Sequence, residues 1–310
     1  MRRSDRLLTT LALTAALTAA ASLALPSSAS AYCRTSSCGD AGTGQVCTPG
    51  EAGDCGIVVS WPSPCVEYSL QKDASKKGID LATARQVFKE AFATWTSAPC
   101  EGGTPRMKLT ETEPVECHKH EYNQDQGNAN IIMFRDDSWP YTGAANTLAL
   151  TTVTYNLDTG EIYDADMEIN SFDATFTTGD TNVEFDLLSI ATHETGHFLG
   201  LAHSPNLDAT MFMSYAEHDT SIRSLSDDDV NAICAVYPPG DAIPSSCDPT
   251  PRHGFSSTCA VASDDSGGCS VSGPGAVGGG LASGALAVAA LGLVASRRRA
   301  QRSRLAQRRR

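Results

Sequence analysis

The chain has 310 residues, 41% hydrophobic and 19% charged, with 36 acidic side chains against 23 basic ones and a formal charge of −13. Its arginines crowd the two ends. Residues 1–31 hold three Arg and one Asp and residues 297–310 hold eight Arg, so without them the formal charge moves from −13 to −23. So acidic a body excludes nucleic acid as the expected partner.

In chain order, Arg2 and Arg3, the apolar run Leu7–Leu25 and the small residues Ala29-Ser30-Ala31 form a secretory signal peptide over 1–31, with cleavage expected before Tyr32. Residues 32–56 are Gly-rich and carry Cys33, Cys38, Cys47 and Cys55, which reads as a disulfide-stapled cap. A latency device, with one thiolate at a metal, is the alternative for that segment. Eleven cysteines fit an oxidising compartment, and setting aside Cys269 leaves ten, compatible with five disulfides.

From residue 57 to 240 the pattern is that of one domain. Val66–Leu70 predicts a strand. Asp80–Trp95 predicts an amphipathic helix, with Leu81, Ala84, Val87, Phe88, Ala91, Phe92 and Trp95 on one side. His118 and His120 read as a surface loop. Asn130–Phe134 predicts a buried strand, and Leu148–Tyr155 with Glu161–Asn170 a hairpin around Asn156–Gly160. The carboxylates Asp158, Asp164, Asp166 and Glu168 are candidate Ca²⁺ ligands, although no fixed-spacing calcium loop is present.

Val183–Leu199 predicts a second helix, and at its end stands His193-Glu194-Thr195-Gly196-His197-Phe198-Leu199-Gly200-Leu201-Ala202-His203. This H-E-x-x-H-x-x-G-x-x-H signature is a known one for zinc hydrolysis, and random order would produce it on the order of 10⁻⁵ times per chain. Four residues separate His193 from His197, so a helix projects both imidazoles from one face. Glu194 is rotated about 100° from the first ligand, beside the metal rather than on it, and can take a proton from its water. His203 cannot reach the metal from the same straight helix. Gly200 enters the left-handed conformation at low cost and lets the chain turn back. Three neutral imidazoles leave a fourth position open, the catalytic pattern for Zn²⁺. Met211 follows in a turn. Ser226 and Asp229 form a capping box for a last helix, whose stripe Val230, Ile233, Cys234 and Tyr237 ends at Pro238-Pro239-Gly240.

Residues 241–275, rich in Ser, Gly, Pro and Asp, read as a linker without its own core. Beyond Cys269 lie twenty uncharged residues, Ala276–Ala295, and then Arg297-Arg298-Arg299. That length suits a transmembrane helix. Cysteine, apolar run and arginine cluster together resemble the myxobacterial C-terminal sorting tag of the MYXO-CTERM type, which implies cleavage near Cys269 and attachment to the cell surface. An ordinary tail anchor is the other option.

HETGHFLGLAHS, then ATMFMSY, then LSDDDVNAICAVYP, resemble the catalytic domain of the matrixins, the matrix-metalloproteinase family within the metzincins; AFATW resembles their first helix. The resemblance covers roughly residues 57–240 and is strongest from 183. It implies an α+β fold with a twisted mixed sheet, an active-site helix, a Met-turn and a C-terminal helix. It implies catalytic Zn²⁺ on His193, His197 and His203, Glu194 as general base, Met211 as the apolar floor, and Tyr215 and Ser189 at the substrate's S1′ pocket. Met213 departs from the family's usual proline at the pocket wall, and the inhibitory P-R-C-G-x-P-D motif is absent. Asp228 and Asp229 would tie the last helix to the Met-turn. The expected function is a monomeric, exported endopeptidase acting on extracellular proteins. An inactive zinc-containing surface-binding module is the competing class. An extended substrate would lie antiparallel along an edge strand within Thr147–Thr154.

Overall fold

The computed structural model describes residue 35, residues 57–141 and 146–260, and the backbone of residues 286–296. The expected signal peptide, the cysteines of the 32–56 segment, Cys269 and the arginine end lie outside the described residues.

Nine strands and three α-helices are described. The strands are β1 (Cys65–Leu70), β2 (Lys108–Glu111), β3 (Ile131–Phe134), β4 (Thr147–Asn156), β5 (Ile162–Ile169), β6 (Phe176–Thr177), β7 (Phe185–Asp186), β8 (Ser214–Ala216) and β9 (Leu286–Ser296). The helices are α1 (Leu81–Thr96), α2 (Leu187–Phe198) and α3 (Asp227–Val236), with a 3₁₀ turn at Ser221–Arg223. Seven strands form one mixed sheet in the order β2-β1-β3-β5-β4-β9-β8, and β6 pairs with β7. β2, β1, β3 and β5 run parallel, whereas β4 and β5 form the expected antiparallel hairpin. The architecture is α+β.

Local sequence accounts for most of these elements. Asp80 caps α1 by accepting from the Thr83 N–H at 2.8 Å, and Ala84, Val87, Phe88, Ala91, Phe92 and Trp95 are its buried face. Each of the large side chains contributes about 1.5–3 kcal/mol on burial. Phe92 stacks on Tyr68 of β1 and meets Phe198 of α2 edge to face, which fixes α1 across the sheet and against the second helix. α3 carries the predicted capping box, with Ser226 and Asp229 each accepting from the other's backbone.

Three expectations are corrected. The second helix starts at Leu187 rather than Val183, because Phe185–Asp186 pairs with Phe176–Thr177 and Asp186 becomes the cap. Residues 241–260 do not hang free as a linker. Cys247 is bonded to Cys65 and Cys259 to Cys117, while Phe255 packs on a small cluster of Val115, Ala129, Ile131 and Met133. Composition could not show this, since long-range covalent bonds hold the segment down where apolar burial alone would not. The third correction concerns the C-terminal span: Leu286–Ser296, expected within a membrane helix, is strand β9 in the sheet. An apolar run of Leu, Ala and Val satisfies a strand as well as a helix once an unpaired sheet edge is available. Among the described residues no helix is long and apolar enough to cross a membrane.

Candidate metal centre and active site

Helix α2 is buried on nearly every side, and its ends are held by side chains from elsewhere. At the start, Asp186 accepts from the Ser189 N–H at 2.9 Å and takes both Nε and Nη2 of Arg223 at 2.7 Å, a two-pronged ion pair. At the end, Trp61 Nε1 donates to the Phe198 carbonyl at 2.8 Å and the Tyr237 hydroxyl to that of Leu199 at 2.9 Å. These carbonyls have no partner within the helix itself, so two aromatic donors complete it. Trp95 Nε1 donates to the Thr192 carbonyl at 2.7 Å, tying α1 to the turn before His193.

The platform brings His193, His197 and His203 together, with ligand atoms within 4.8 Å of one another and all three side chains buried. Gly200 performs the expected reversal with φ +85°, and a Cβ there would sit 2.4 Å from the Val59 carbonyl oxygen, so both torsion and space require glycine. His193 Nδ1 lies 2.7 Å from the Thr210 carbonyl and His197 Nδ1 2.9 Å from that of Leu201. A carbonyl only accepts, so both rings carry their proton on Nδ1 and turn the Nε2 lone pair inward.

His197 Nε2 is 3.1 Å from His203 Nε2, and His193 Nε2 is buried without a hydrogen-bond partner. A buried acceptor left alone costs about 1–3 kcal/mol. Burial, with His203 close by, pushes His193 down to about 3 and His197 well below the ordinary range, so the rings are neutral. Neutral imidazole nitrogens converging on one point, with their far nitrogens fixed by carbonyls, fit a Zn²⁺ ion.

Glu194 is buried on the same helix, and its Oε2 accepts from the Thr151 hydroxyl of β4 at 2.6 Å. Below the histidines lies Met211. A Cβ on Gly196 would fall 2.2 Å from the Met211 sulfur and 2.9 Å from Trp95, so glycine in the motif is what admits the methionine under the helix. Asp229 fixes that turn by accepting from the N–H groups of Thr210 (2.8 Å) and Met211 (3.0 Å) and from Ser226 N–H (2.9 Å). Asp228 accepts from Ser204, directly after the third histidine, at 2.5 Å. One helix start therefore locks both the turn beneath the site and the loop carrying His203, and the disulfide Cys100–Cys234 anchors α3 to the segment after α1.

The family model described as Matrixin matches residues 60–238, which is more than half of the chain. The chain belongs to the matrixin family. That family is one of zinc-dependent metalloendopeptidases, hydrolases of peptide bonds. Among its relatives, human neutrophil collagenase is 34% identical over 139 residues, which is 41% of this chain and 28% of the collagenase. Human matrix metalloproteinase-16 is 31% identical over 195 residues, 62% of this chain and 29% of that protein. Metalloendoproteinase 1-MMP of Arabidopsis thaliana is 26% identical over 183 residues, 58% of this chain and 44% of that protein. The chain thus spans less than half the length of these relatives.

Other matrixin positions fall as follows. Tyr215 is buried in β8, its hydroxyl accepting from the Asp186 N–H at 3.0 Å and donating to the Asp219 carbonyl at 2.5 Å. It therefore couples β8 to the start of α2. Ser189 is fully buried on α2, and Met213 is half-buried just before β8. Sequence reasoning missed Thr151, Asp186 and Arg223. Thr151 had one faint signal, a threonine at a position that burial would give to an apolar residue.

The acidic positions separate into different environments. Asp158 lies exposed in the hairpin turn. Burial pushes Glu168 up, but hydrogen bonds from His120 and Tyr141 and the charge of Arg135 outweigh it and hold the carboxyl below its usual range. His120, expected in a surface loop, anchors that loop to Glu168 at 3.1 Å. Asp164 and Asp166 are fully buried beside a cavity of about 250 Å³, with Asp164 Oδ1 lacking a partner. Burial first, then mutual repulsion and Glu67, raises Asp164; burial raises Asp166 against hydrogen bonds from Ile131 and Glu121. Glu67, buried nearby, is pushed up to about 7 by desolvation.

Carboxyls raised in the folded state stabilise it fully below their unfolded values and lose that stabilisation as pH rises through the folded ones. In calcium-free buffer Tm should fall as pH rises from about 5 to about 8, and Asp164→Asn should flatten the decline. A wild-type and a variant profile of equal slope by thermal unfolding would remove this assignment. The further group Cys117, Glu121 and Cys259 is no metal site, because its two sulfurs are joined in a disulfide.

Proposed function

We propose that the chain is a zinc-dependent endopeptidase of extracellular proteins, with Glu194 as general base and His193, His197 and His203 as metal ligands. The observation that carries it is a buried carboxylate held by Thr151 beside three clustered imidazoles, of which His193 and His197 turn a neutral Nε2 lone pair inward. When bound, Zn²⁺ supplies Lewis acidity toward the scissile carbonyl and lowers the pKa of water toward about 7. Glu194 accepts a proton from the attacking water and returns it to the leaving amine nitrogen. The Thr151 hydroxyl donates to Glu194 and aims the carboxylate. The Nδ1 bonds to Thr210 and Leu201 keep the imidazoles oriented, and Met211 excludes water from beneath them.

An extended peptide adds antiparallel to β4 once Leu286–Ser296, which pairs with that strand, is displaced, and main-chain hydrogen bonds then give affinity without side-chain specificity. Ser189 and Tyr215 belong to the S1′ region, and the small Ser189 favours a pocket for large apolar side chains. The two buried carboxylates Asp164 and Asp166 beside one cavity support a shared Ca²⁺ ion there. The signal-peptide pattern and the basic C-terminal end support export and a place at the cell envelope.

The experiment is a cleavage-site profile of a peptide library digested by the purified chain with and without a zinc chelator. Chelator-sensitive cuts before large apolar residues are expected. No cutting by a zinc-loaded chain would leave the binding-module alternative instead.

A further inference from the structure

Strand β9 lies between β4 and β8. It pairs antiparallel with β4 from Thr147↔Val294 to Asn156↔Leu286, and parallel with β8 from Ser214↔Val294 to Ala216↔Ser296. β4 and β8 do not pair with each other, so the space between them is one strand wide, and the chain's own residues 286–296 fill it. Its direction along β4 is the one derived above for a substrate peptide. β9 also lies against helix α2.

The register places it over the chemistry. Leu291 is the partner of Thr151, whose hydroxyl holds Glu194; Leu293 is the partner of Ala149; Val294 is flanked by β4 and β8 at once. The backbone between Leu291 and Val294 therefore starts beside the strand position whose side chain holds Glu194, on a strand that packs against the helix carrying His193 and His197. The segment LAVAALGLVAS has no charge and no proline to block strand addition, and its leucines and valines outweigh the weak strand preference of its glycine and alanines.

We infer that the C-terminal segment is a substrate of its own active site, cut at one of the three peptide bonds between Leu291 and Val294. It rests on the endopeptidase reading. Water adds its oxygen to the carbonyl carbon, the C–N bond breaks, one proton passes through Glu194 to the new amine, and no reactant other than water is consumed. Until that bond is cut, β9 excludes other peptides from the β4 edge.

The test compares the full zinc-loaded chain with its Glu194→Ala and Gly292→Pro variants by intact mass and C-terminal peptide mapping, alongside digestion of an added peptide. Wild type should end at Leu291, Gly292 or Leu293, at a rate independent of protein concentration. Glu194→Ala should keep residues 286–310. Proline has no N–H for the ladder and a fixed φ, so Gly292→Pro should loosen β9 from the β4 edge and slow self-cleavage by up to about tenfold, the effect of one lost hydrogen bond, while added peptide, no longer excluded, is cut as fast or faster. Wild type that cuts added peptide yet keeps its tail would overturn the inference alone. Cutting neither would instead refute the peptidase reading. A tail removed equally from Glu194→Ala, or cut only near Cys269, would assign the event to another protease and overturn the inference.

Discussion

Glu194→Ala is expected to bind zinc as wild type does and to lose about a thousandfold or more in kcat/KM on a peptide substrate, within the range general acid–base catalysis supplies. Glu194 sits on the helix of His193 and His197, and both of those rings are oriented by backbone carbonyls. His193 is aligned by the Thr210 carbonyl and His197 by that of Leu201, so removing the carboxylate leaves both bonds in place. The Thr151 hydroxyl loses one acceptor but is 3.4 Å from the Glu194 carbonyl, to which it can turn. The variant should therefore unfold near the wild-type temperature, which separates a chemical loss from a structural one. Turnover within about tenfold of wild type would remove Glu194 as the base.

His203→Ala is expected to fail in a different way. Its imidazole comes from beyond the helix, and the two ligands left on α2 make an incomplete set for a tetrahedral ion. Changing a group that only orients a ligand costs about 10–100-fold in metal affinity, so deleting a ligand should cost more than about a hundredfold. Stability should fall with it: zinc at 100 times its Kd stabilises the wild-type fold by about 2.7 kcal/mol, and the variant forgoes that at the same zinc concentration. Calorimetry with and without zinc reads the difference. A Tm gain from zinc as large in the variant as in wild type would place the third ligand elsewhere.

The site was legible in sequence to the extent that its geometry is local. A four-residue spacing on a helix, a glycine reversal and a capping box each follow from backbone rules operating within about ten residues, and His193, His197, Gly200, Ser226 and Asp229 lie where those rules put them. Asp186 shows the limit. The apolar stripe extended the helix back to Val183, but a two-stranded pairing with Phe176–Thr177, invisible to periodicity, ended it at Leu187. The Arg223 fork and the Thr151 hydroxyl were hidden for the same reason, since each joins residues 37 or 43 positions apart. Residues 241–260 lacked any hydrophobic pattern because two disulfides, over sequence separations of 182 and 142, hold them in place of a core. Leu286–Ser296 was readable as apolar but not as strand or helix. What decided it was the open edge of β4, more than 100 positions earlier in the chain.

Zinc per chain, determined by elemental analysis on Glu194→Ala and His203→Ala purified side by side, probes the shared coordination sphere most directly. One zinc per chain in the first and a small fraction of that in the second is the expected result. Equal occupancy in both would mean that position 203 does not complete the metal centre.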